Sequence, residues 1–315
     1  MKKQLIIIYA GLIFGLLSFQ SCTKEITVDL PNPDAKIVVE GSIENDVPPF
    51  VLLSRNTPYF GGFNFNDLSA YFVQDARVRV FTDNGDTVTL QKFCISDPAV
   101  AAVFGFNFDG DSVPEICVYT IPDILNWFIT GTGSMVGRPE TNYHLVVEAD
   151  SQVLRSTTRI PALSPFDSLQ VRNHPDAKKD SLAQVFVYLT FPSAEGRYLR
   201  VQTSTNGGPY YPLPAGSVFE YKLFLGQSAG FPIARGQGAD EEFNQDSFGY
   251  FFKGDTVSVK WSQIDQKVFT FYSTLESDGG DSPFTAPVKV ISNIENGLGV
   301  WAGYGSTYGS IIIPK

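Results

Sequence analysis

The sequence predicts a mainly β protein made of two antiparallel β-sandwiches, with one amphipathic helix in the second. Three observations carry this prediction. Charged residues make up only 18% of the chain, while Gly (28), Phe (26) and Tyr (14) are plentiful, a mix that suits strands and turns better than surface helices. Short runs of alternating apolar and polar residues recur at regular spacing, separated by turn residues, as sandwiches of immunoglobulin or transthyretin type require. The pattern breaks at Ile160-Pro161 and Ser164-Pro165, which sets a boundary near residue 163 between a sandwich over 34–163 and another over 164–315.

The hydrophobic share, 43%, is enough to build real cores. The net charge of −10 repels phosphate backbones, and no basic stripe opposes it, so nucleic acid is excluded as a partner.

The chain starts MKKQLIIIYAGLIFGLLSFQSC. Lys2 and Lys3 form a positive segment and Leu5 to Leu17 an apolar one, the layout of an export signal over 1–21. The apolar run falls short of the roughly 20 residues that span a bilayer. Phe19-Gln20-Ser21-Cys22 resembles a bacterial lipobox, which implies that Cys22 becomes the first mature residue and carries acyl chains such as palmitate. Residues 22–33 then form a lipidated tether.

Strands follow in order. KIVVEGSIE (36–44) and PFVLLSR are rich in β-branched residues. ARVRVFTDNGDTVTLQKF (76–93) is the clearest hairpin: Val78, Val80, Val88 and Leu90 alternate with polar residues around Asn84-Gly85. IPDILNWFI (121–129) reads as a short helix, and NYHLVVEAD and VLRSTTRIP as another strand pair. The second half reads DSLQVR, QVFVYLTF, RYLRVQTST, VFEYKLFL (218–225) and DTVSVKW as strands. Ile264, Val268, Phe271 and Leu275 then follow helical spacing, predicting a helix over about 263–277, with Ser262 and Asp265 spaced like a capping box. VKVISNI (288–294) and SIIIPK (310–315) return to strand.

Between the last two lies NGLGVWAGYG (296–305), whose glycines imitate a phosphate-binding loop. No helix-forming run follows it, so the free N–H groups such a loop needs are missing. Its glycines are read as places where a β segment bends and where Trp301 and Tyr304 pack closely.

Chemistry-bearing motifs are few. GQSAG (226–230) matches a nucleophile elbow around Ser228, but glycines occupy the run that should be helical and both histidines, His144 and His174, precede the serine. No catalytic constellation emerges, and the chain is expected not to be an enzyme. Cys94 and Cys117 are read as a disulfide in an exported chain, or as two buried thiols. Asn107, Asp109, Asp111 and Glu115 in NFDGDSVPE offer oxygens at alternate positions, either a Ca2+ site or a polar hairpin loop. Tyr59, Phe60, Tyr210, Tyr211, Phe231 and Tyr250 lie in long unpatterned stretches, and form either a ligand-binding rim or plugs for the sandwich ends.

The layout as a whole (CTKEITVDLP, KIVVEGSIENDVPPFVLLSR, DARVRV, NYHLVVEA, TTRIP, WSQIDQKVFTFYSTLES and above all SNIENGLGVWAG) resembles the lipoprotein family of Bacteroidota called domain of unknown function 4249. The resemblance carries no catalytic residues. It implies a lipoprotein anchored to the outer membrane through Cys22, on either the cell-surface or the periplasmic face. It also implies a partnership with a TonB-dependent receptor. The expected role is a ligand-binding or gating accessory of such a nutrient transporter; the alternative is a structural or adhesive surface protein.

Overall fold

Alternation of apolar and polar residues produces strands through most of the chain. The computed structural model describes residues 35–56, 71–73, 75–95, 116–191, 193, 198–238, 241–277 and 288–315, which fall within one compact unit, Ala35–Lys315. Cys22, Tyr59, Phe60 and the four oxygen donors Asn107, Asp109, Asp111 and Glu115 lie outside the described residues.

β1 (Ile37–Glu44) and β2 (Val47–Arg55) form a hairpin, followed by β3 (Arg77–Thr82), β4 (Thr87–Ile95) and β5 (Ile116–Thr120). Next come helix α1 (Ile124–Thr130) and the pair β6 (Thr141–Ala149) and β7 (Gln152–Ile160). The boundary expected near residue 163 falls between β7 and β8 (Ser168–Asn173). After β8 come β9 (Leu182–Thr190), β10 (Tyr198–Thr205), β11 (Tyr211–Pro212), β12 (Val218–Glu220), β13 (Ser228–Ile233), β14 (Phe251–Phe252) and β15 (Thr256–Ile264). Helix α2 (Gln266–Ser277) and the 15-residue β16 (Leu298–Ile312) complete the order.

The fold is mainly β and sandwich-like, as the alternation predicts. Among the described residues, one sheet has the path β11-β10-β15-β16-β1-β2-β5-β4-β3-β6-β7, with β12 also on β10. A second sheet places β13, β14 and β8 on β9. Among the described strands the ladders are antiparallel except one: β1 runs parallel to β16, with Gly41 opposite Trp301 and Glu44 opposite Tyr304.

The long sheet folds over to enclose a first core, in which Val39, Leu53, Val80, Tyr143 and Leu154 surround Trp301. A second core forms where β9 and β13 cover β10 and β15, burying Val185, Val187, Leu199, Val201, Val257 and Val259. β16 serves both cores. Its start delivers Trp301 to the first, and Ile311 near its end and Ile313 just past it pack into the second.

Several local expectations change. Residues 288–294 are not a strand, because side chains replace the backbone ladder there. Trp301 N–H donates to Asn293 Oδ1 (2.9 Å) and Asn293 Nδ2 donates to the Trp301 carbonyl (2.8 Å), so one amide completes the open edge of β16. NGLGVWAGYG lies within β16, save its first two residues. At Gly303 a Cβ would stand 2.5 Å from the Arg159 carbonyl oxygen, and at Gly299 (φ +97°) 2.0 Å from that of Val39. These glycines exist for close backbone approach. Finally, VFEYKLFL is a strand only at its start; a 3-10 turn over Lys222–Phe224 follows.

α2 starts later than its periodicity suggests, because β15 continues through Ile264. Its cap is Asp265, whose Oδ1 accepts from Val268 N–H (2.9 Å). Oδ2 of the same carboxylate accepts from Thr158 Oγ1 (2.9 Å) and Arg159 N–H (3.0 Å). Ser262 is not part of a capping box; it stays in β15, bonded to Ser306 at 2.8 Å.

Candidate functional site

An open groove of about 820 Å3 lies over β1, β2, β10, β15 and β16, walled by α1 and α2. That volume is in the range of small-molecule sites. Strand alternation decides what its floor presents: Val38, Glu40 and Ser42 of β1, Phe50 and Leu52 of β2, and Leu298, Val300 and Tyr304 of β16 line it. Trp127 and Phe128 of α1 and Phe271, Tyr272 and Leu275 of α2 form the walls.

The walls are fixed by polar contacts behind them. Trp127 Nε1 donates to the Asp46 carbonyl at 3.0 Å. The Asp123 carboxylate accepts from Ser134 N–H (2.7 Å) and Oγ (2.6 Å), and the serine hydroxyl bond holds that carboxyl below its usual range. α1 ends at Gly131, left-handed at φ 72°, which donates back to Trp127. α1 thus stands in place while Leu125 (72%) and Ile129 (84%) stay exposed beside the groove.

One end of the groove carries the polar groups. Arg200 of β10 donates through Nη1 to Tyr304 Oη (2.9 Å) and through Nε to Ser217 Oγ (3.4 Å). Its guanidinium carbon lies 3.6 Å from the centre of the Tyr272 ring, a cation–π contact. The Tyr272 and Tyr304 hydroxyls meet at 2.8 Å. Burial pushes the Tyr304 phenol well above its ordinary pKa, so it stays protonated at neutral pH and can donate to Tyr272 while accepting from Arg200.

Arg200 makes no ion pair among the described residues. Glu276 lies near, but accepts from Ser217 N–H (2.7 Å) and from the Ser217 hydroxyl. Lys260, the other cation at the groove, is already neutralised: its Nζ is 2.5 Å from Glu44 Oε2, and Tyr308 Oη donates to the other oxygen. Glu44 is buried and belongs to that pair.

Glu40 has the opposite situation. It is open to the groove on a floor of Val38, Leu52 and Val300, and has no hydrogen bond or ion pair among the described residues. The surrounding apolar walls desolvate its carboxyl and raise its pKa. Among the described residues the groove therefore offers a guanidinium with N–H groups to spare at one place, a carboxylate without a counter-ion at another, and apolar surface around them.

The sequence-predicted residues are placed as follows. Cys94 and Cys117 face each other in the β4–β5 register and are joined as a disulfide. Tyr210 packs edge-on against Tyr308, ring centres 5.9 Å apart, next to the Lys260–Glu44 pair. Tyr211 pairs with Thr203 in β11. Phe231 packs on Phe191 and Phe224 against the second core. Tyr250 lies 4.3 Å from the His174 ring. None of these four aromatics is among the residues that line the groove. Ser228 is in β13 opposite Thr190, its hydroxyl 2.8 Å from that of Thr190; no helix follows it there. His144 lies between Thr157 Oγ1 (2.9 Å) and Asp83 Oδ1 (2.6 Å) on a sheet face away from the groove.

Sequence reading missed Glu40, Arg200 and Tyr272, and took Tyr304 for a packing residue only. A signal was present in each strand. In IVVEGSIE and YLRVQTST a charged residue sits at an alternate position, opposite in facing to core residues. What the sequence did not show is that two helices wall off that face.

No curated protein matches the chain. Residues 23–309 match the family described as domain of unknown function (DUF4249), and with that match over most of its length the chain belongs to this family.

Proposed function

We propose that this protein is a lipid-anchored, non-catalytic binding protein of the outer membrane that holds a small ligand in the groove and serves a TonB-dependent transporter. The observation that carries the binding role is the groove itself: a preformed concavity, mostly apolar, with a small number of fixed polar groups. The signal-like segment before Cys22 supports the anchor, and the resemblance of the whole layout to a lipoprotein family supports the transporter partnership.

Two experiments test this reading. Radiolabelled palmitate is incorporated into the protein in cells and lost in Cys22→Ser. Purified protein raises the fluorescence of an apolar anionic dye, anilinonaphthalene sulfonate, and substituting Val38→Trp on the partly exposed floor to fill the groove abolishes that rise. Unlabelled protein would remove the anchor from the proposal; dye binding unaffected by Val38→Trp would remove the groove. An adhesive role would instead draw on the exposed Leu125 and Ile129. Deletion that alters attachment without affecting growth on any nutrient would favour it.

A further inference from the structure

We infer that the groove recognises an elongated zwitterion with an apolar body, chemically a short apolar peptide with free termini: its ammonium pairs with Glu40 and its carboxylate with Arg200. This rests on the groove being a binding site, and adds what occupies it.

The inference follows from charge complementarity. Glu40 is ionisable, open to the groove, and has no partner among the described residues. An isolated charge on apolar surface is costly, and a ligand cation offsets that cost. Arg200 spends Nη1 on Tyr304 and Nε on Ser217, and a guanidinium has five N–H groups in a fork that fits a carboxylate. The nearby acids do not satisfy it: Glu276 is held by Ser217, and Glu44 by Lys260 and Tyr308.

The two charges are held well apart. Glu40 opposes Val300, and Glu44 opposes Tyr304, the residue to which Arg200 donates, so the levels differ by four strand residues, roughly 13 Å along the strand. β10 also lies three strands from β1, roughly 14 Å across the sheet at the backbone. The long side chains of Arg200 and Glu40 shorten that diagonal, and an extended peptide of about four residues, roughly 13 Å long, bridges the remainder. Val38, Leu52 and Leu275 line the same groove and accept apolar side chains.

The test uses the tetrapeptide Leu-Ala-Ala-Leu in free, N-acetylated and C-amidated forms, titrated into the purified full-length protein by calorimetry, with displacement of anilinonaphthalene sulfonate as a second readout. The free peptide should bind and displace the dye. N-acetylation and C-amidation should each weaken binding at least tenfold. Glu40→Gln should weaken the free peptide and abolish the difference between it and its N-acetylated form, while leaving the penalty for amidation. Blocked peptides that bind as well as the free one, or a dye that binds while the free peptide does not, would overturn the inference and leave the groove as a site for another ligand. If dye and peptides all fail to bind, the groove reading itself falls.

Discussion

Trp301 offers the sharpest quantitative test of how the fold is held. It is fully buried in the first core, and its Nε1 donates to the Tyr143 carbonyl at 3.0 Å. An aromatic side chain of this kind buries about 150–250 Å2, worth roughly 4–6 kcal/mol at about 25 cal/mol per Å2. Truncations of buried Trp typically cost about 3–5 kcal/mol, so we expect Trp301→Ala to destabilise by about 4 kcal/mol. At about 2–4 °C per kcal/mol, the melting temperature falls by roughly 10 °C. The neighbour Gly41 sharpens the test. A Cβ there would stand 2.7 Å from Trp301 Cε3 and 3.2 Å from Cζ3, so Gly41→Ala alone should cost about 1–3 kcal/mol by overpacking. With the indole gone the added methyl enters the vacated space, and the second cost disappears. Thermal and urea unfolding followed by far-UV circular dichroism on the four proteins gives the coupling energy directly. Costs that simply add to within about 0.5 kcal/mol, or a Trp301→Ala cost below about 1 kcal/mol, would refute the packing argument.

Other outcomes follow from the same reasoning. Asp265→Ala removes the cap of α2 and the bonds to Thr158 and Arg159; it should cost about 2–3 kcal/mol in urea unfolding, and Asp265→Asn should retain part of that. The Cys94–Cys117 bridge closes a separation of 23 residues; replacing both with Ser should cost about 3 kcal/mol, and equal stability with and without reductant in the wild type would count against it. Glu40→Gln should raise the melting temperature at neutral pH. Burial raises the folded-state pKa of this carboxyl, so stability declines as pH rises from the ordinary carboxylate range through that higher value. The gain should vanish in acid below the ordinary range, and a gain that persists there would point to a cause other than charge.

Much of the fold was legible because strand periodicity is local. The β3–β4 hairpin needs only alternation and Asn84-Gly85, and Gly85 takes φ +94° at the turn as that pair requires. α2 was legible from Val268 and Phe271, which are its buried residues. The parallel pairing of β1 with β16 was not legible, since residues some 260 apart in sequence announce nothing to each other. The same holds for the site. Glu40, Arg200 and Tyr304 come from three strands, and only the sheet order brings them together. Residues 288–294 misled for a different reason: their pattern suits a strand, but the polar side chain of Asn293 occupies the edge that a strand would have taken.

The sharing of β16 sets an order of events during folding. β1 is the first of the described strands, yet its parallel partner β16 lies roughly 260 residues further along the chain. The first core therefore lacks Trp301, and the second lacks Ile311 and Ile313, until that distant segment is in place. Contacts of such sequence separation fold slowly, because a long loop must close before they contribute. A chain that has not yet placed residues 298–313 has two unfinished cores rather than one finished domain and one waiting. Completion of the two halves is thereby tied to a single late step, the arrival of one fifteen-residue strand.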